Sequence, residues 1–113
     1  MHEVSIMAEA VRLAVESAQT AGARRITALR LRVGKLSGAV PEAMMFAWDI
    51  VRQDTVAANA TLTIETVAAA CWCVTCKAEF VCEDFISECP RCHDCSGKLL
   101  RGRELEIANM EIE

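Results

Sequence analysis

The chain has no basic footprint. Lys and Arg number 12 against 16 Asp and Glu, the formal net charge is -4, and the two signs are mixed along the sequence. Phosphate contacts dominate nucleic-acid affinity, so a nucleic-acid partner is not expected. Long hydrophobic runs are missing too. The longest, Val67 to Val74, falls well short of the ~20 residues of a spanning helix, so no membrane role is expected. The opening Met1-His2-Glu3 carries neither a basic nor an apolar signal region, which points to a cytoplasmic protein. No Ser/His/Asp set and no phosphate-cradling glycine loop can be found, and the reading is that the chain is not an enzyme. Internal repeats are absent.

What is present is a large apolar fraction and a cluster of cysteines. At 113 residues and 53% hydrophobic, the chain can form one small core or a core plus a subdomain. Chains of this size often supplement that core with a metal or by association, and a homodimer is compatible with the composition. Residues 5–21 have helical periodicity, with Met7, Val11, Ala14 and Ala18 on one side and Arg12 between Glu9 and Glu16 on the other. Leu29 to Val33 alternates as a half-buried strand, and Pro41 suits the first turn of a second helix bearing Met44, Ala47, Trp48 and Val51. Thr61 to Glu65 and Glu104 to Ile107 predict two more strands. Arg30 and Arg32 would face Glu104 and Glu106 if the first and last strands are neighbours. Leu105 and Ile107 share one parity and Met110 and Ile112 the other, so a bulge, twist or end is expected near Ala108-Asn109.

All seven cysteines lie between Cys71 and Cys95. The expected fold is therefore α+β: two helices packed on a small three-stranded sheet, with an inserted zinc-ribbon-like subdomain built on four cysteines. Residues 1–69 and 100–113 form the body and 70–99 the metal-binding insertion, with Ala68-Ala69-Ala70 as a hinge. In Cys73-Val-Thr-Cys76 and Cys89-Pro-Arg-Cys92 each turn offers two thiolates to one tetrahedral ion, and two such turns complete a closed tetrathiolate site. A closed site is structural rather than catalytic. Cys95 and His93 offer alternative ligands; Cys71 and Cys82 read as small hydrophobes or thiols. Four thiolates also suit iron, as in a rubredoxin-like protein. A zinc-ribbon module that binds protein or nucleic acid is a further reading.

His2 follows a free α-amino group. Amine, backbone nitrogens and imidazole can surround one ion in a plane, a geometry that suits Ni(II) or Cu(II) rather than zinc. Met1-His2-Glu3 opening an amphipathic helix, the two cysteine pairs, and Gly102-Arg103-Glu104-Leu105 before the last strand together resemble the HypA/HybF family of hydrogenase maturation nickel metallochaperones. The resemblance covers the whole chain. It implies nickel as transported cargo at His2, with Met1 and Glu3 contributing main-chain nitrogens. It also implies structural zinc at Cys73, Cys76, Cys89 and Cys92. The implied partners are a nickel-handling maturation GTPase and the [NiFe]-hydrogenase large-subunit precursor, with urease maturation proteins as further partners in some members. Cys71, Cys82, Cys95 and His93-Asp94 depart from the family's usual pattern.

Overall fold

The computed structural model describes residues 2–82, 88–95 and 98–113. Among the described residues two helices and six strands follow one another as α1 (His2–Thr20), β1 (Ile26–Gly34), α2 (Pro41–Val51), β2 (Thr61–Val67), β3 (Ala70–Cys73), β4 (Ala78–Val81), β5 (Lys98–Arg101) and β6 (Leu105–Ile112). The strands form two three-stranded sheets, ordered β2-β1-β6 and β4-β3-β5. Contacts divide the chain into two compact units, one of Met1–Arg32, Ala39–Glu65 and Glu106–Glu113, the other of Val33–Gly38 and Thr66–Leu105.

In the first unit α1 begins at His2, three residues before the expected Ser5. Glu3 lies in the first turn, where a carboxylate complements the positive end of the helix dipole. The expected apolar face is the buried one: Met7, Val11, Ala14 and Ala18 are sequestered. On the opposite face Arg12 bonds Glu9 and Glu16. Helix α2 buries Met44, Ala47 and Trp48, the i, i+3, i+4 positions of one stripe. Its N-cap residue Val40 offers no side-chain oxygen, and the carboxylate of Glu3 accepts the Val40 N–H instead at 3.3 Å. Along β1, Ile26, Leu29 and Leu31 are buried while Arg30 points outward.

The first and last strands are neighbours, as the charge pattern predicts. Arg32 bonds Glu106 at 3.1 Å, but Arg30 lies 3.7 Å from Glu65 of β2 rather than reaching Glu104. Strand β6 continues through Ala108 and Asn109 without the expected end. Arg25 and Glu113 exchange backbone hydrogen bonds, and the seven-residue step from Arg25 to Arg32 matches that from Glu113 to Glu106.

The second unit extends beyond 70–99 because Val33–Gly38 is tied to it by main-chain bonds. Gly34 N–H donates to Glu104 O (2.7 Å), Lys35 N–H to Val67 O (2.9 Å) and Leu36 N–H to Gly102 O (2.7 Å). Of the alanine triplet, Ala68 is exposed, Ala69 and Ala70 are buried in this unit, and Ala70 starts β3. Two glycines allow the close approach. A Cβ on Gly34 would lie 2.1 Å from Gly102 O; one on Gly102, whose φ is +126°, would lie 2.7 Å from both Cα and Cβ of Ala69.

Candidate metal centre

Strands β3 and β4 pair antiparallel with Cys73 opposite Ala78, so the first cysteine pair straddles a tight hairpin turn. Cys73 closes β3, Cys76 sits in the turn, and its N–H lies 3.4 Å from Cys73 Sγ. The second pair repeats this geometry outside any named strand. Cys89 N–H donates to Asp94 O at 2.9 Å, which closes a loop over the same interval as the Cys73–Ala78 pair. Four residues after the first cysteine of each pair the backbone is left-handed, at Lys77 (φ 53°) and His93 (φ 64°). Thr75 Oγ1 donates to Asp94 Oδ2 at 2.7 Å and links the two turns.

The two turns bring four sulfurs together. Cys73, Cys76, Cys89 and Cys92 have Sγ atoms all within 4.8 Å of one another, with Cys73–Cys92 at 3.4 Å and Cys76–Cys89 at 3.9 Å. A zinc tetrahedron with Zn–S bonds near ~2.3 Å has sulfur–sulfur edges of about 3.8 Å, so the spacing fits a tetrathiolate ion. Cys73 and Cys89 are buried and Cys76 and Cys92 half-buried, packed with Ala69, Cys71, Phe80 and Cys82.

Electrostatics favour a cation here. The Cys92 N–H, opposed by burial and assisted by the Arg91 N–H, brings the Cys89 thiol down to about 6. Cys92 receives the Asp94 N–H, but burial and the sulfurs of Cys73, Cys89 and Cys76 outweigh it and push the thiol up to about 12. For Cys76 the contact with Cys92 lowers the pKa, but burial and the sulfurs of Cys73 and Cys89 together outweigh it, giving a net rise. Sulfurs this close resist simultaneous ionisation unless a positive charge sits among them.

His93 does not join the tetrad: its ring is 72% exposed, with Nδ1 3.4 Å from Glu88 Oε1. Cys95 is exposed, and Cys71 and Cys82 form a separate buried pair. Met1 and the side chain of His2 lie outside the described residues, and Glu3 engages Val40 through its carboxylate. Sequence reasoning missed Thr75, Asp94 and the left-handed position at Lys77. The equal offset of Lys77 and His93 from their cysteine pairs was the available signal.

The family model described as hydrogenase/urease nickel incorporation, metallochaperone, hypA matches residues 1–112. The chain belongs to this family. It is 42% identical over 112 residues to the hydrogenase maturation factor HypA of Picosynechococcus sp., covering 99% of both chains. It is 40% identical over 113 residues to that of Geotalea uraniireducens, covering 100% of both. Its fold is similar to the solution structure of the Ni metallochaperone HypA from Helicobacter pylori, with TM-score 0.70 at 21% identity over 97% of this chain and 96% of that one. A second HypA solution structure gives 0.72 at 22% identity, covering 100% and 97%. The family is one of metallochaperones, not enzymes, and the tetrad suits the structural zinc expected from the sequence. Among the described residues no helix is long and apolar enough to cross a membrane.

Proposed function

We propose that this protein carries Ni(II) at its extreme N-terminus and delivers it for [NiFe]-hydrogenase maturation, while Cys73, Cys76, Cys89 and Cys92 hold a structural zinc. The observation that carries this reading is the match of the nickel metallochaperone family over residues 1–112, together with a Met1-His2-Glu3 start. The ligands are the Met1 amine, the His2 imidazole and main-chain nitrogens of His2 and Glu3. The helix supports this chelate: the first N–H groups of α1 have no intrahelical acceptor, so a metal can take them without breaking a helix bond. The Glu3 carboxylate is engaged at Val40, which leaves its main-chain nitrogen as the donor.

Two donor sets divide two metals. Thiolates in a closed tetrahedron retain zinc, whereas nitrogen donors favour a planar ion that passes on by ligand exchange. The partners are the nickel-handling GTPase and the hydrogenase large-subunit precursor in the cytoplasm, with urease maturation proteins as a second destination. A homodimer is a further element of this reading.

Nickel titration of untagged protein, with metal analysis, tests the assignment. His2→Ala, or one residue added before Met1, removes nickel binding and leaves about one zinc per chain. Native nickel affinity in either variant would place the ion elsewhere. Oxygen-dominated zinc in X-ray absorption would refute the tetrathiolate.

A further inference from the structure

Cys71 and Cys82 are not members of the tetrad, yet they are arranged as a pair. Cys71 faces Phe80 across the β3–β4 ladder, and Cys82 lies two residues beyond Phe80, its N–H donating to Ala69 O at 3.1 Å. The two cysteines are therefore diagonal neighbours on one face. Their side chains are 3% and 5% exposed, and the sulfurs stand 2.8 Å apart. A disulfide requires about 2.05 Å, so bond formation needs a closure of about 0.8 Å. The tetrad sulfurs with stated separations are further apart, at 3.4 and 3.9 Å, and a bound cation would hold them as ligands.

We propose that Cys71 and Cys82 are a dithiol oxidation site, distinct from the metal tetrad, whose disulfide staples the hairpin that carries the first ligand pair. Hydrogen peroxide is the oxidant. One sulfur attacks a peroxide oxygen, the O–O bond breaks, and a molecule of water leaves with a sulfenic acid behind. The second sulfur attacks the first, the S–O bond breaks as the S–S bond forms, and another water leaves. In total two thiols and one peroxide give one disulfide and two waters, with two electrons passing from sulfur to oxygen. A dithiol reductant reverses the product by exchange.

The closed ring contains residues 71–82, and with them Cys73 and Cys76. Opening of this hairpin is the simplest route by which the first cysteine pair lets go of its ion. A crosslink across its base restricts that opening, and metal loss slows on the order of tenfold. This consequence rests on the zinc reading; the crosslink itself does not.

The test uses the full chain, isolated reduced and with its metal content measured. It is treated with a small excess of hydrogen peroxide and the remaining thiols are alkylated. Trypsin cuts after Lys77, so a Cys71–Cys82 bond appears as two linked peptides, with the tetrad cysteines alkylated after acid release of the metal. Zinc transfer to a colorimetric chelator is timed before and after oxidation. The expected result is the linked pair, unchanged zinc content, transfer slowed on the order of tenfold, and reversal by reductant. Cys71→Ser and Cys82→Ser each retain zinc and lose the peroxide effect. Oxidation confined to tetrad cysteines or Cys95, with Cys71 and Cys82 both alkylated, overturns the proposal. So does a linked pair with an unchanged transfer rate, as regards the staple. Protein isolated without zinc would sink the metal reading alone, because the peptide map still decides the dithiol.

Discussion

Gly102→Ala tests whether the close approach in the second unit is a requirement of the backbone or a consequence of small residues there. Two costs are expected. The new residue would hold φ at +126°, outside the regions L-residues favour, at about 1–3 kcal/mol. Its Cβ would also lie 2.7 Å from the Cα and Cβ of Ala69, against a comfortable carbon–carbon separation of about 3.5–4.0 Å. Overpacking of this kind costs about 1–3 kcal/mol. The sum, about 2–6 kcal/mol, is a large share of the about 5–15 kcal/mol by which small domains are stable. Urea unfolding of the metal-loaded protein measures it. The double variant Ala69→Gly/Gly102→Ala isolates the Cβ–Cβ part of the clash, since it removes that contact and keeps both the backbone strain and the approach to the Cα of residue 69. A favourable coupling of about 1 kcal/mol or more is expected in that cycle. A Gly102→Ala protein within about 0.5 kcal/mol of wild type would show that the segment yields easily and that the steric argument is wrong.

Three further outcomes follow from the knuckle geometry. His93→Gly relieves a left-handed non-glycine residue and raises stability by about 1 kcal/mol, since the exposed Glu88 contact contributes little; a loss of stability in urea would refute this. Zinc uptake near neutral pH displaces protons from Cys76 and Cys92, whose thiols are raised, so apparent affinity falls about a hundredfold or more per unit of acidification. Calorimetry in buffers of different ionisation enthalpy counts those protons, and a release well below about two per zinc would contradict it. Thr75→Val removes the bond to Asp94 and speeds zinc transfer to a chelator, whereas an unchanged rate would show that the two turns are held by the metal alone.

What the sequence shows depends on how local the controlling physics is. The tetrad was legible because a Cys-x-x-Cys turn places its two sulfurs by local geometry, and the alternation of Leu29 to Val33 was legible because β1 buries one face. The parity change at β6 did not end the strand, for the same reason that alternation was informative at β1. Strand β6 is an edge strand whose residues are all exposed or half-buried, with Leu105 and Ile112 both open to solvent. Where neither face is committed to a core, an apolar residue of the wrong parity costs little and the strand need not break. Arg30 likewise had two acidic strands within reach, since β1 lies between β2 and β6, and it is Glu65 of β2 that stands beside it. Gly102 was noticed as part of a family motif, but its cause is the distant residue Ala69, which no local pattern reveals.

His93 was open to misreading for a different reason. A histidine beside a cysteine pair has ligand chemistry, and residue type alone therefore suggests coordination. Its position has another explanation: the knuckle requires a left-handed residue four places after its first cysteine, and His93 occupies that place just as Lys77 does in the other turn. Glycine, the usual marker of such backbone, stands at neither position. Only the repeated geometry of the two turns separates a residue placed by its side chain's chemistry from one placed by the backbone, and it puts His93 in the second class.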